Sequence, residues 1–184
     1  EELQSYKEAE KILFTAQYGF AYSEADEGSL PVADLVIGCL LPVVSTTADF
    51  YQVKYPDERV AWVKREEARK AEDILTQPVT KEGLVKTAMA FHGIPYLWGG
   101  TSSKAIDCSG LITNVYFMNG IQLPRDADQQ SLLGQVISTE YSWENLEAGD
   151  LLFFGRKATD TQAESVTHVA MYVDDGEFIH SAGF

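Results

Sequence analysis

Three side chains in the second half of the chain could together carry out thiol chemistry. Cys108 follows Asp107 at the start of an apolar stretch with helical spacing, and His168 and His180 each lie in a short apolar run typical of a strand. A cysteine attacks as the thiolate, and a neighbouring imidazole can remove its proton. These residue types in this order predict a thiol nucleophile that is served by a histidine base.

The position of Cys108 favours the thiolate. Asp107 is a good helix N-cap, which places Cys108 in the first helical turn, where unpaired backbone N–H groups and the helix dipole stabilise an anion. The same N–H groups could hold the oxyanion that forms when sulfur attacks a carbonyl. Gly110 is expected to leave room for a substrate to approach the backbone.

The two histidines are predicted to share one hairpin, because residues 174–176, Asp-Asp-Gly, form a turn signal between their strands. Side chains alternate faces along a strand, so the register decides whether two residues meet. A three-residue loop or a bulge makes His168 and His180 diagonal neighbours on one face, whereas a two-residue loop places them on opposite faces. Catalysis therefore predicts the longer loop or a bulge, with His168 as the base and His180 fixing its tautomer and orientation.

Each of these residues also has a purely structural interpretation. A lone cysteine at a helix start more often packs than reacts, and a histidine in an apolar strand is more often a satisfied core residue than a catalyst. Short motifs match by chance often enough that spacing alone leaves both interpretations open. A disulfide between Cys39 and Cys108 would contradict every thiol mechanism, but Cys39 lies in an apolar run and is predicted to be a core residue.

The elements that must position these residues belong to the second of two predicted domains. Residues 18–66 contain short β-prone runs separated by turn-rich stretches, which predicts a small all-β barrel. Residues 81–184 combine helical and strand patterns and predict an α+β domain. We interpret residues 1–17 as a connector that could be helical and residues 67–80 as a linker with one helical stretch.

Apolar periodicity locates the individual elements of both domains. In the first domain it predicts four strands, at Tyr18–Tyr22, Leu35–Val44, Phe50–Tyr55 and Arg59–Val63. In the second domain it predicts helices at Lys81–His92 and Cys108–Asn119, followed by strands at Asp150–Phe154, Thr167–Val173 and Glu177–Ser181.

Composition excludes several classes of protein. The 184 residues include 14 Lys and Arg against 28 Asp and Glu, and the net charge of −14 argues against a nucleic-acid or anionic-membrane partner. No apolar run approaches the roughly 20 residues of a membrane span, and no signal peptide opens the chain. Two cysteines are too few for a disulfide scaffold or a thiolate zinc site, and we predict no metal and no cofactor.

Six segments in the second half, in the right order, resemble the NlpC/p60 family of bacterial cell-wall cysteine peptidases. They are Pro95–Gly100, Asp107–Gly110, Leu123–Arg125 with Gln130, Gly149–Leu151, Thr167–Val169 and Phe178–Gly183. In the first half, residues 49–63 resemble the bacterial SH3-like domains that often precede such peptidases. The match there is looser, because Phe50 and Ala61 stand where these modules commonly have Trp and Gly.

The resemblance implies a papain-like α+β fold and hydrolysis of peptidoglycan stem peptides. Because members with SH3-like domains look like γ-D-glutamyl-L-diamino-acid peptidases, it also implies cleavage between γ-D-Glu and Lys or meso-diaminopimelate. Carried over by position, Cys108 is the nucleophile, His168 the base and His180 the orienting residue. Two alternatives stay open: a non-catalytic wall-binding module, and amidase or acyltransferase chemistry on the same thiol and imidazole groups.

The resemblance also implies a substrate subsite and a location. Tyr96, Asp107 and Ser109 match positions that line the subsite for L-Ala-γ-D-Glu, where the carboxylate could hold the free amine of L-Ala or serve only as a helix cap. The expected partners are peptidoglycan-derived peptides in the bacterial cell envelope, and the oligomeric state is left open. Because the chain starts at Glu1 rather than Met and ends soon after His180, we expect it to be partial.

Overall fold

The computed structural model describes residues 6, 8–137 and 143–183, and the chain divides into two compact units between Gln77 and Pro78. No helix in these described ranges is long and apolar enough to cross a membrane.

The N-terminal unit is built on one antiparallel sheet, in the order β3-β2-β6-β5-β4-β1-β7. Alternate residues are buried along β2, β5 and β6, and fully buried Phe14, Val53 and Val63 are among the residues of the core. A 3-10 turn precedes β7 and one short helix follows it. The elements are β1 (Lys11–Phe14), β2 (Tyr18–Tyr22), β3 (Pro31–Val36), β4 (Leu40–Thr46), β5 (Phe50–Lys54), β6 (Val60–Lys64), β7 (Ala68–Lys70) and α1 (Ala71–Leu75).

This sheet differs from the predicted closed barrel. Among the described strands, β3 and β7 each pair with one neighbour only, so the hydrogen-bonded ladder stays open. The predicted single strand Leu35–Val44 is also wrong, because the chain turns at Gly38, whose φ of 90° lies in the left-handed region. Cys39 follows this turn and packs half-buried against the core, so it is less buried than predicted.

The predicted connector and linker both contribute to the fold of this unit. Residues 11–14 form β1, which pairs with β4 and β7, because their apolar side chains are buried in the core. Residues 68–75 form β7 and α1. Of the predicted connector, residues 1–5 and 7 lie outside the described residues.

The C-terminal unit mixes helices with a three-stranded antiparallel sheet, in the order β10-β11-β12. Its second helix, Cys108–Phe117, packs against the strand Ser165–Asp174 and against its first helix, Lys81–Met89. The elements are α2 (Lys81–Met89), β8 (Thr101–Ser102), β9 (Ala105–Ile106), α3 (Cys108–Phe117), α4 (Ala127–Gln130), β10 (Leu151–Arg156), β11 (Ser165–Asp174) and β12 (Glu177–Ile179).

Both long helices of this unit are shorter at their C-termini than predicted. In α3 the last turn tightens, since the N–H groups of Asn119 and Gly120 donate to carbonyls three residues back. Gly120 then leaves the helix with a φ of 85°, as expected of a residue just beyond a helix end. The apolar face of α3, which includes Leu111 and Ile112, is buried.

Candidate active site

His168 of β11 and His180, the residue after β12, are in direct contact. His168 Nε2 lies 2.9 Å from His180 Nδ1, and the two rings are nearly perpendicular, with centroids 5.1 Å apart and an interplanar angle of 84°. One of the two nitrogens must carry the shared proton, and the tautomers decide which one donates. Because the contact uses Nε2 of His168, its Nδ1 remains for a second partner.

A bulge in the hairpin brings the two histidines together. Asp175 and Gly176 form a tight two-residue turn with φ values of 48° and 80°, and the register shifts between Tyr172 and Asp174. The shift restores the pairing of Met171 with Ile179, which makes the histidines diagonal neighbours on one face. Of the predicted alternatives, the bulge is therefore confirmed and the three-residue loop is not formed.

Cys108 is the first residue of α3 and is 9% exposed. The carboxylate of Asp107 accepts the N–H of Gly110 at 2.7 Å and caps the helix, as predicted. The N–H groups of Cys108 and Ser109 donate to no acceptor in the described part of the chain, so they are available to a bound oxyanion. No hydrogen bond joins Cys108 to His168 among those residues, but α3 packs on the strand that carries this histidine.

Arg125 clamps the residue that caps α3. Its Nη2 and Nη1 donate to Asp107 Oδ2 and Oδ1 at 2.6 and 3.1 Å, and Nη1 also donates to Ser109 Oγ at 2.8 Å. The N–H of Gly99 donates to Oδ2 at 2.8 Å. Burial alone would raise the pKa of Asp107, but hydrogen bonds from Arg125, Gly110 and Gly99 outweigh it and hold this pKa below its ordinary value.

This network bears on the predicted subsite. Both carboxylate oxygens of Asp107 already accept charged or backbone donors, and the side chains of Asp107 and Ser109 are almost completely buried. A substrate amine would have to displace an existing donor, so the geometry favours the cap over the amine-binding role for Asp107. Whether Ser109 lines a substrate subsite stays a prediction.

The expected role of Gly110 is wrong. A Cβ at this position would collide with the carbonyl oxygen of Gly100. Gly110 is therefore required for the close approach of α3 to the preceding loop, and the space above its Cα is occupied by protein.

Tyr96 lies in the loop that pairs with the strand before Cys108. Its loop is held to β9 by hydrogen bonds from Leu97 N–H to the Ile106 carbonyl and from Ile106 N–H to the Pro95 carbonyl. Burial raises the pKa of Tyr96, and negative charge on Cys108 and then on Asp107 raises it further. The side chain is 36% exposed and is accessible to a ligand, although a ligand role stays a prediction.

Comparison with known proteins decides the family. The NlpC/P60 family model matches residues 93–183 of this chain. The chain belongs to the NlpC/P60 family. This family comprises peptidoglycan hydrolases, and the segment matched holds every residue of the site described above.

Two relatives of this NlpC/P60 chain share one name. It is 39% identical over 144 residues to a gamma-D-glutamyl-L-lysine dipeptidyl-peptidase of Bacillus cereus, with 77% of this chain and 40% of that protein covered. A Bacillus subtilis protein of the same name is 30% identical over 171 residues, covering 92% of this chain and 53% of the relative. The chain thus spans about half or less of these relatives.

A solved structure has the same mixed α and β fold. The crystal structure of an NlpC/P60 family protein from Bacillus cereus matches with a TM-score of 0.81 and 31% identity. The match covers 97% of this chain and 56% of that one.

Two residues of the NlpC/P60 site were missed by sequence reasoning. One is Arg125, which belongs to the segment Leu123–Arg125 but has no role that the sequence alone predicts. The other is Ser181, whose buried Oγ donates to the carbonyl oxygen of Ile106 at 2.9 Å and so ties the segment after His180 to the strand before Cys108. The signal that could have pointed to Arg125 is the predicted helix cap Asp107, because a carboxylate that becomes buried needs a cation beside it.

His168 has the electrostatic character of a base. Its pKa is lowered, chiefly by burial and then by the charge of His180. The neutral ring is therefore the dominant form at neutral pH, and a neutral ring can accept a proton.

Proposed function

We propose that the NlpC/P60 domain of this chain is a cysteine peptidase that cleaves peptidoglycan stem peptides between γ-D-Glu and the diamino acid. The observation that carries the proposal is the hydrogen bond between His180 and His168, because His168 lies on the strand that packs against the helix that opens with Cys108. The substrate class is supported by the two relatives that are named gamma-D-glutamyl-L-lysine dipeptidyl-peptidases.

The reaction begins with proton transfer from the thiol. Cys108 Sγ gives its proton to His168 Nδ1, while the Nε2–H of His168 donates to Nδ1 of His180. The orienting histidine thus fixes the tautomer of the base and stabilises the imidazolium. This assignment requires His180 to carry its own proton on Nε2.

The thiolate then attacks the γ-carbonyl carbon of D-Glu, and the carbonyl oxygen becomes an oxyanion. The N–H groups of Cys108 and Ser109 at the start of α3 are placed to hold this oxyanion. Collapse of the intermediate breaks the C–N bond, and His168 returns the proton to the departing amine of the diamino acid. Water, deprotonated by the same histidine, hydrolyses the thioester and regenerates the thiol.

The test is a mass-spectrometric assay of L-Ala-γ-D-Glu-L-Lys and its meso-diaminopimelate analogue. We expect release of L-Ala-D-Glu by the unchanged protein and by the Cys39→Ala control, and none by Cys108→Ala. Equal release by Cys108→Ala would contradict the thiol mechanism. Release of a different fragment would retain the mechanism and reject the proposed bond.

We also propose an identity for the N-terminal sheet, the partners of the chain and its location. The N-terminal sheet is an SH3-like module, supported by the resemblance of residues 49–63 to such modules. The partners are peptidoglycan-derived peptides, and the location is the bacterial cell envelope, where this substrate occurs. Binding of muropeptides by the isolated residues 78–184 and by the whole chain would measure what the N-terminal unit contributes.

A further inference from the structure

Two phenylalanines, Phe154 and Phe178, form a closed cycle of four aromatic rings together with His168 and His180. The ring centroids of Phe154 and His168 are 5.8 Å apart, those of Phe178 and His180 are 5.5 Å apart, and the two phenylalanines are 6.0 Å from each other. With the contact between the histidines, each of the four rings touches two others. Such tilted and edge-on arrangements at these distances are favourable.

Strand register fixes this arrangement. Phe154 is directly opposite His168 in the pairing of β10 with β11, and Phe178 lies two residues before His180 and so shares its face. The register shifts immediately after Phe154, at Gly155, where a Cβ would collide with a carbonyl oxygen of β11. Glycine therefore permits the bulge that ends regular pairing just beyond the histidine.

We propose that Phe154 and Phe178 form an apolar cover over the His168–His180 pair, which keeps water from one side of the pair and holds the two imidazoles in their hydrogen-bonded orientation. Both phenylalanines are then positioning residues that act through the histidines. The inference rests on the proposed function for its consequence in catalysis, but the cover itself is a property of the fold.

The electrostatics of His168 agree with this cover. Burial is the main cause of its lowered pKa, and the charge of His180 is the second. Other titratable groups occur on β11 and on the elements packed against it, but none of them contributes to this shift. They are Cys108 and Tyr116 of α3, Asp128 of α4, Arg156 of β10, Glu177 of β12, and Tyr172 and Asp174 of β11 itself.

Removal of the cover should therefore let water reach His168 and favour its charged form. Phe154 and Phe178 are 39% and 43% exposed, so truncating either one should leave the fold intact. In Phe154→Ala and in Phe178→Ala we expect the titration of His168 to move to higher pH. In Phe154→Leu, which keeps an apolar side chain at the site, it should stay near its original position.

The experiment is an NMR titration of the imidazole C–H signals in the Cys108→Ala background, where no thiol titrates beside the pair. The chain contains three histidines, so the signals can be assigned by single substitutions, and His92 serves as the internal reference. The matched control is Phe153→Ala, because this neighbour lies on the opposite face of β10. Imidazole nitrogen shifts in the same samples report whether the two histidines remain hydrogen-bonded.

An unchanged His168 titration in both alanine variants would overturn the inference, and so would an equal shift in Phe153→Ala. A shift in Phe154→Leu as large as in Phe154→Ala would also overturn it, since leucine retains the apolar cover. These outcomes do not depend on turnover. Failure of the unchanged protein to cleave the tripeptide would therefore reject the proposed function and leave this result standing.

Discussion

The ion pair between Asp107 and Arg125 makes a quantitative prediction about the start of α3. In Arg125→Ala, the carboxylate of Asp107 would remain buried, at 5% exposure, with only the N–H groups of Gly99 and Gly110 as strong donors. Removing one partner of a buried ion pair is strongly destabilising, because it leaves an uncompensated charge. We therefore expect the loop and the first turn of α3 to open more readily.

The magnitude follows from the burial of the two partners. Breaking a fully buried pair costs roughly 3–5 kcal/mol, but the side chain of Arg125 is 33% exposed, and we expect about 2–4 kcal/mol for local opening. Since about 1.4 kcal/mol corresponds to a factor of ten, amide exchange should accelerate by about 30- to 700-fold. Arg125→Lys keeps the positive charge but loses the bidentate contact. Its amide-exchange rate should therefore lie between those of the unchanged protein and Arg125→Ala.

The assay is hydrogen exchange followed by mass spectrometry on peptides covering residues 96–111. The matched control is Arg59→Ala, which removes an ion pair of similar length, 2.7 Å to Asp57, whose two side chains are more than half exposed. That pair should contribute only about 0–1 kcal/mol. Peptides from the N-terminal unit should be unaffected by Arg125→Ala.

The pH dependence gives a second check on the same variant. Asp107 has a pKa below its ordinary value of 3.8, so its contribution to stability is fully present above that pH and is lost as the pH falls through the lowered pKa. Without the guanidinium, the largest cause of the lowered pKa is lost, so the carboxylate of Asp107 would become neutral at a higher pH than in the unchanged protein. The difference in amide-exchange rate between Arg125→Ala and the unchanged protein should be largest near pH 7 and shrink towards pH 4. Exchange no faster than in Arg59→Ala, or a difference independent of pH, would refute the reasoning.

Three other predictions concern single contacts of the site. His180→Ala should lower kcat by about 100- to 10,000-fold with little change in KM, because it removes the partner that orients the base, and stem-peptide kinetics would measure this. Gly110→Ala should cost at least about 2 kcal/mol, seen in urea unfolding, since its methyl group meets a backbone carbonyl; an unchanged midpoint would contradict the close approach. Ser181→Ala should cost about 1–3 kcal/mol, because it leaves the Ile106 carbonyl without this donor, and Ser181→Thr serves as the control that keeps the hydroxyl.

Local patterns predicted the parts of the site that depend on neighbours in sequence. Asp107 caps α3 because a short acidic side chain reaches the N–H three residues on, and this geometry is the same in any helix. Strand alternation and the turn signal left two faces open for His168 and His180, and the requirement of catalysis selected the shared face that the structure has. The bulge that makes this possible could be expected only as one of two alternatives, because both satisfy the same sequence.

Long-range pairing determined what the sequence could not show. β1 is a strand because it pairs with β4 and β7, which lie far along the chain, and nothing within residues 11–14 distinguishes it from an apolar helical turn. Arg125 reaches Asp107 across 18 residues, and a lone arginine after a proline carries no periodic signal. The open edges of the N-terminal sheet likewise depend on which strands meet rather than on the strands themselves.

The clamp on Asp107 also settles a conflict at the start of α3. The helix N-terminus favours a thiolate at Cys108, but the adjacent carboxylate that caps the helix disfavours a second anion. Arg125 resolves the conflict, because its guanidinium neutralises Asp107 and its own pKa is raised first by the hydrogen bond to Asp107 and, to a smaller extent, by charge on Cys108. Iodoacetamide should therefore alkylate Cys108 more slowly near pH 6 in Arg125→Met than in the unchanged protein, with the Arg59→Ala rate unaltered. Equal rates in all three would mean that Arg125 only holds the loop in place and has no part in stabilising the thiolate.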